Sequence, residues 1–179
     1  SISSYDTFNV NGVSYYCREN FSLKGGESIE IILFEGIPQV QQFYLNQLNG
    51  LYPRIVLNNP GFVVSDTDVR LFVSDGITTE EWKVTQDSLF SLGPDDKVFY
   101  DSTLENGDVE LSFGSGTNGK LLPSDGTATV YYVQTSGANG NKGLEGARVT
   151  WAKDSRVSGT TIESSTGGAD IKPISYYKN

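Results

Sequence analysis

Along most of this chain apolar residues recur at every second position, in short stretches separated by turn signals. From Asp108 to Phe113, Val109, Leu111 and Phe113 fall on one side and Asp108, Glu110 and Ser112 on the other, the pattern of a half-buried strand. Thr127 to Gln134 is apolar or β-branched on both sides, which predicts a strand deeper in a sheet. Thr7–Val10, the pair Asn11-Gly12 and Val13–Cys17 read as a hairpin. In Glu27–Phe34, Ile29, Ile31 and Leu33 share one face, and Val69, Leu71 and Val73 alternate with Arg70, Phe72 and Ser74. Arg54–Leu57, Glu81–Thr85, Lys97–Tyr100 and Ala147–Ala152 complete the predicted strands, and Ile171–Tyr177 recovers apolar character near the end. Gln39–Leu48 is ambiguous, because Val40, Phe43 and Tyr44 fit a helical turn whereas Val40, Gln42 and Tyr44 alternate. Asp87 can cap one helical turn through Ser88 to Leu92.

The punctuation agrees with the pattern. Asn11, Asn49, Asn106, Asn118 and Asn139 each precede a glycine, Asp75-Gly76 and Asp125-Gly126 add two more turn pairs, and Asn58-Asn59-Pro60-Gly61 closes another stretch. No long 3.6-residue periodicity appears. The expected fold is therefore mainly β, an antiparallel β-sandwich or β-barrel-like sheets with at most one or two short helices. Three regions are expected: an N-terminal hairpin lobe over residues 1–50, a central β-domain over 51–146, and a C-terminal strand and connection over 147–179. Asp154–Asp170, rich in Ser, Thr and Gly, reads as a linker or an exposed hairpin.

Composition narrows the chemistry. The 179 residues include ten Tyr, nine Phe and two Trp, enough for a substantial core. With no His, the chain lacks the commonest general base and zinc ligand. The single Cys17 cannot form an internal disulfide, and its apolar neighbours predict a small core residue. A net charge of −9 disfavours nucleic acid and anionic membrane as partners. No apolar run is long enough to span a bilayer and no signal peptide is visible. The lack of Met points to an internal fragment or a mature product.

Several arrangements resemble chemistry without its context. Gly114, Gly116 and Gly119 fit GxGxxG after a strand, but Lys120-Leu121-Leu122-Pro123 follows, so no helix can begin there to face a pyrophosphate. The loop is expected to be structural, with at least one glycine at positive φ. Glu80-Glu81 and Asp95-Asp96 are sequence neighbours that point apart on a strand, unlike a glycosidase pair, and read as solvated charges. Asp66-Thr67-Asp68 lacks the rest of a calcium loop. Asn20-Phe21-Ser22 fits a glycosylation acceptor, which has no bearing without a secretory signal. The pairs Tyr15-Tyr16, Tyr131-Tyr132 and Tyr176-Tyr177 are each expected to show one ring to either face of a strand. No catalytic, cofactor-binding or metal-binding residue is expected, and no enzyme activity.

The same loop carries a resemblance. Phe113-Gly114-Ser115-Gly116 with Asn118-Gly119-Lys120 resembles the "FGDG…G(K/R)" signature of the baseplate J-like proteins, which include wedge proteins of contractile-tailed bacteriophages. Tyr131-Tyr132-Val133 and Gly137-Ala138-Asn139-Gly140-Asn141 occupy the places of the strand and small-residue run that follow it. Phe34-Glu35-Gly36-Ile37-Pro38 is similar to the family's "xEGxP", Tyr52–Val64 to its "RFxIPNxNV", Lys97-Val98-Phe99-Tyr100 to its "KVYF", and Ser165–Asp170 to its "TGGAD". Ser115 departs from the pattern by replacing an acidic residue. The resemblance tips Gln39–Leu48 towards a strand and marks Phe113, Gly114, Gly116, Asn118 and Gly119 as a structural signature loop. It implies a structural role in the virion, in a baseplate assembled in the host cytoplasm. There the protein would contact other wedge and hub proteins and form a homo-oligomer within the assembled particle. The alternative is a carbohydrate-binding or adhesin-like β-domain using Tyr and Trp platforms.

Overall fold

The computed structural model describes residues 1–58, 63–64, 68–136, 145–162 and 172–178, with 63–64 and 172–178 described by backbone alone. The fold is mainly β, with fourteen strands and two single 3-10 turns among the described residues. The chain forms two compact units, one of Ser1–Pro38 with Gln134–Asn179 and one of Gln39–Val133. The changeovers thus fall at 38/39 and 133/134, where sequence reading drew boundaries at 50/51 and 146/147.

The discontinuous unit is a closed six-stranded barrel. Its strands are β1 (Thr7–Val10), β2 (Val13–Tyr16), β3 (Glu30–Glu35), β12 (Arg148–Trp151), β13 (Val157–Thr161) and β14 (Lys172–Lys178). They run β1-β12-β13-β14-β3-β2, and every neighbouring pair is antiparallel. The β1–β2 hairpin forms as the sequence predicts, with Val10 opposite Val13 and both Asn11 (φ 51°) and Gly12 (φ 82°) in the left-handed region its tight turn requires. Alternation sends Phe8, Val10, Tyr15, Ile31, Leu33, Val149 and Val157 into the barrel, and Cys17 joins them fully buried. An isolated bridge between Ile2 and Phe21 brings Ile2 into the same core. Glu27 lies before β3 because its carboxylate accepts the Lys24 N–H and so belongs to a turn.

The stretch expected to be a linker or exposed hairpin from Asp154 contains a barrel strand instead. β13 buries Val157, Gly159 and Thr161, and its Gly159 lies opposite Val149 in the register. A closed barrel of six strands has a narrow interior, so small residues suit its inner face. Residues 163–170 of that stretch lie outside the described residues, as do the predicted turn at 59–61 and the run at 137–141.

The continuous unit holds β4 (Ile37–Tyr44), β5 (Ile55–Leu57), β6 (Val63–Val64), β7 (Arg70–Ser74), β8 (Thr79–Val84), β9 (Val98–Thr103), β10 (Val109–Phe113) and β11 (Thr127–Thr135), the ends of β4 and β11 crossing its boundary. The order is β4-β11-β7-β8-β9-β10-β5, with β6 pairing β11 off this path. β8 and β9 run parallel, whereas β11–β7, β7–β8, β9–β10 and β10–β5 are antiparallel. One face of this sheet packs Ile55, Leu57, Leu71, Val73, Trp82, Phe99, Val109, Leu111, Ala128, Val130 and Tyr132 into a single core. The ambiguous Gln39–Leu48 resolves into β4 followed by a 3-10 turn at Leu45–Gln47. The other 3-10 turn, Leu89–Ser91, is capped by Ser88 rather than Asp87: the Ser88 hydroxyl accepts the Phe90 N–H, and the Asp87 carbonyl accepts the Tyr100 hydroxyl.

Candidate functional site

The glycine loop Gly114–Gly119 follows directly from β10. Phe113 packs its ring edge-on to Trp82, with centroids 5.9 Å apart. Beyond it the backbone folds back on itself. The Gly116 N–H donates to the Gly119 carbonyl at 2.9 Å and the Ser115 N–H to the Asn118 carbonyl at 3.3 Å. Gly116 (φ +84°) and Gly119 (φ +77°) sit in the left-handed region. Gly114 is constrained differently: a Cβ there would lie 2.1 Å from the Gly119 carbonyl carbon. A second turn braces the loop, since the Gly119 N–H donates to the Gly93 carbonyl and the Lys120 N–H to the Asp96 carbonyl. The Asp96 carboxylate in turn accepts the Gly93 N–H at 2.7 Å, so this acidic neighbour pair contributes a turn cap.

These bonds turn the loop's amides inward on the protein. Every backbone N–H from Ser115 to Lys120 donates within the protein, those of Thr117 and Asn118 to the Ser115 hydroxyl. A nucleotide loop directs such amides at the anion and opens a helix behind it. Here an irregular stretch and β11 follow. Ser115 organises the turn through its side chain. Its hydroxyl accepts from the second and third following amides, as the Asp75 carboxylate does from Ile77 and Thr78 at 2.9 and 2.8 Å in the β7–β8 turn.

The remaining candidates separate in space. Glu80 pairs with Lys97, and Glu81 bridges Arg70 at 3.1 Å and Lys83 at 2.7 Å; hydrogen bonds from Lys83 and then Arg70 hold its carboxyl below the ordinary range. Asp66 and Thr67 lie outside the described residues, while Asp68 is buried. The described residues contain no group of three acidic or sulfur ligands placed for a metal. Asn20 accepts the Ser4 N–H through its side chain. Cys17 donates its thiol to the Ser3 carbonyl at 3.1 Å, and burial, then the charge of Asp6, raises its pKa to about 11.

The tyrosine pairs divide unevenly. Tyr131 is 48% exposed and Tyr132 is buried, one ring to each face as expected. Tyr15 and Tyr16 also take opposite faces of β2, but both are buried. Tyr15 points into the barrel, whereas Tyr16 is covered by a stacked Tyr5 ring (5.7 Å, 6°), by Phe34 and by Arg18. Strand alternation fixes the face a side chain takes, and later segments decide whether that face is covered. The side chains of Tyr176 and Tyr177 lie outside the description.

The feature that sequence reading missed is the outer face of the β4–β11–β7–β8 sheet. Registers place Thr129 opposite Phe72 and Phe72 opposite Glu81, and the Gln42 amide reaches the Thr129 hydroxyl. One face therefore carries Val40 (57% exposed), Tyr44 (54%) and Tyr131, with Phe72 edge-on to Tyr131 at 5.7 Å. Arg70 lies over Phe72 at 5.1 Å and leads into the Glu81–Lys83 ion network. β4 runs against its binary pattern: Val40 faces outward, while Gln41 turns inward to donate to the Tyr132 hydroxyl at 2.9 Å. A buried hydroxyl needs a partner, and Gln41 supplies it. The available signal was the alternation of Val40, Gln42 and Tyr44, which puts the three on one side of a strand.

Two concavities accompany these surfaces. In the barrel unit a groove of about 190 Å³ is bounded by Arg18, Phe21, Ile32 and Phe34, with the Arg18 guanidinium 3.6 Å from the Phe34 ring centre. Beside the glycine loop, Tyr52, Arg54, Phe113 and Leu121 border a cleft of about 70 Å³. Both fall short of the roughly 300–1,000 Å³ of typical small-molecule sites. Against protein-family models, curated proteins and solved structures, the chain shows no match.

Proposed function

We propose that this chain is a structural subunit of a baseplate wedge from a contractile phage tail or related injection machine, holding neighbouring subunits through protein–protein contacts. The observation that carries the reading is the ordered set of baseplate J-like motifs across most of the chain, centred on Phe113–Lys120. The β4–β11–β7–β8 outer face supports it, because exposed Tyr with Arg beside an aromatic ring is the composition favoured at protein interfaces. On this reading the partners are other wedge and hub proteins, the chain is a homo-oligomer within a baseplate assembled in the host cytoplasm, and the protein performs no catalysis. Immunogold electron microscopy of purified contractile-tailed particles tests it. Antibodies to this chain are expected to decorate the baseplate end, and a particle that contains the chain but carries label elsewhere overturns the reading. The adhesin-like alternative draws on the same Tyr44 and Tyr131, and predicts saturable binding on a glycan array that Tyr131→Ala abolishes.

A further inference from the structure

We infer that Asn49 is a built-in site of spontaneous deamidation, singled out from the other described Asn-Gly pairs by the state of one backbone amide. In this chemistry the backbone nitrogen of the following residue attacks the Asn side-chain carbonyl carbon. A carbon–nitrogen bond forms, ammonia leaves, and water then opens the cyclic imide to Asp or to a β-linked isoaspartyl residue. Glycine offers the least hindrance to the attack, and Asn is among the thermolabile residues. The nucleophile is the nitrogen itself, so it must lose its proton and turn towards the side chain. An N–H already committed to an acceptor resists both.

Four Asn-Gly pairs lie in the described residues, and in three the amide is committed. The Gly12 N–H donates to the Asn9 side-chain oxygen at 2.9 Å. The Gly107 N–H donates to the Leu104 carbonyl and the Gly119 N–H to the Gly93 carbonyl, each at 2.9 Å. Among the described residues no acceptor takes the Gly50 N–H. Gly50 (φ +91°) stands in open space with no described atom within 4 Å of a built Cβ, and Asn49 is exposed. Conversion would add one negative charge two residues before the exposed Leu51 and three before the exposed Tyr52.

The test is to hold the intact chain in mildly alkaline buffer and follow all four sites by peptide mapping that separates Asp from isoaspartyl products. Asn49 is expected to convert first, with Asn11, Asn106 and Asn118 about tenfold slower, the factor supplied by one hydrogen bond of ordinary net strength. In strong urea the four rates should converge. The exposed Asn9→Ala change removes the acceptor of the Gly12 N–H, and should speed conversion at Asn11 alone. The inference is overturned if any of the other three keeps pace with Asn49 in the folded chain, or if Asn9→Ala leaves Asn11 unchanged.

Discussion

Gly114 and Gly116 are glycines for different reasons, and substitution should separate them. At Gly116 the left-handed φ is the only obstacle, the nearest atom to a built Cβ being 3.8 Å away, so Gly116→Ala should cost about 1 kcal/mol. At Gly114 the Cβ would overlap the Gly119 backbone, which has no flexible end to move aside, so Gly114→Ala should cost more, about 1–3 kcal/mol. Urea unfolding of both variants checks the ranking, and equal midpoints would refute it. Two buried acids in the barrel give a pH signature. Burial, then the charge of Glu35, raises Tyr15 from 10.0 to about 12, and Cys17 rises from 9.0 to about 11. For a raised pKa the stabilising contribution is complete below the unfolded value and disappears as pH climbs through the folded one. The barrel is therefore expected to lose stability from about pH 9 to about pH 12. Phenolate absorbance and circular dichroism recorded together should show Tyr15 ionising as the structure unfolds, and Tyr15→Phe should shift the loss to higher pH.

At the scale of the element, β4 shows how one polar contact overrides a binary pattern. Gln41→Leu would improve the apolar count of the inner face yet leave the Tyr132 hydroxyl buried without its donor, for a predicted loss of about 1–3 kcal/mol. Adding Tyr132→Phe to that variant should recover much of the loss, because both polar partners are then gone. A double-mutant cycle by thermal unfolding reads this directly, and strict additivity would mean that the bond contributes nothing. β13 carries the complementary lesson. Its Ser, Gly and Thr look like linker by composition, but β12 and β14 supply ladders on both edges. The hairpins were legible because their turn chemistry is local: Asn11-Gly12 fixes the β1–β2 register without reference to any distant residue. The cap at Ser88 was missed by one position, since Asp87 and Ser88 are both good cap residues and only the backbone path decides between them.

At the scale of the molecule, the barrel is assembled from both ends of the described chain. Phe8 pairs with Trp151 across β1 and β12, so a very long loop must close before that edge forms. The continuous unit has its own core and needs no such closure. A fragment of residues 39–133 is therefore expected to fold alone. Its Trp82, 2% exposed, should emit at a blue-shifted wavelength and move red in one cooperative urea transition. Red-shifted emission in buffer would show that this core is insufficient by itself. In the whole chain, Trp151→Phe leaves Trp82 as the reporter of the continuous unit, so the same transition can be compared with the rest of the chain attached.

The sequence by itself determined the β class, the tight hairpin at Asn11-Gly12, the burial of Cys17 and the positive φ of glycines in the loop after β10. Each depends on side-chain period or on backbone preferences acting within a few residues. Tertiary structure alone decided that the first and last segments share one barrel. It also decided that β13 is a strand, that Tyr16 is covered, and that Val40, Tyr44, Phe72 and Tyr131 share an exposed face. The reason is physical: alternation along a strand divides its side chains into two sets, but which set meets water depends on partners brought in from far along the chain.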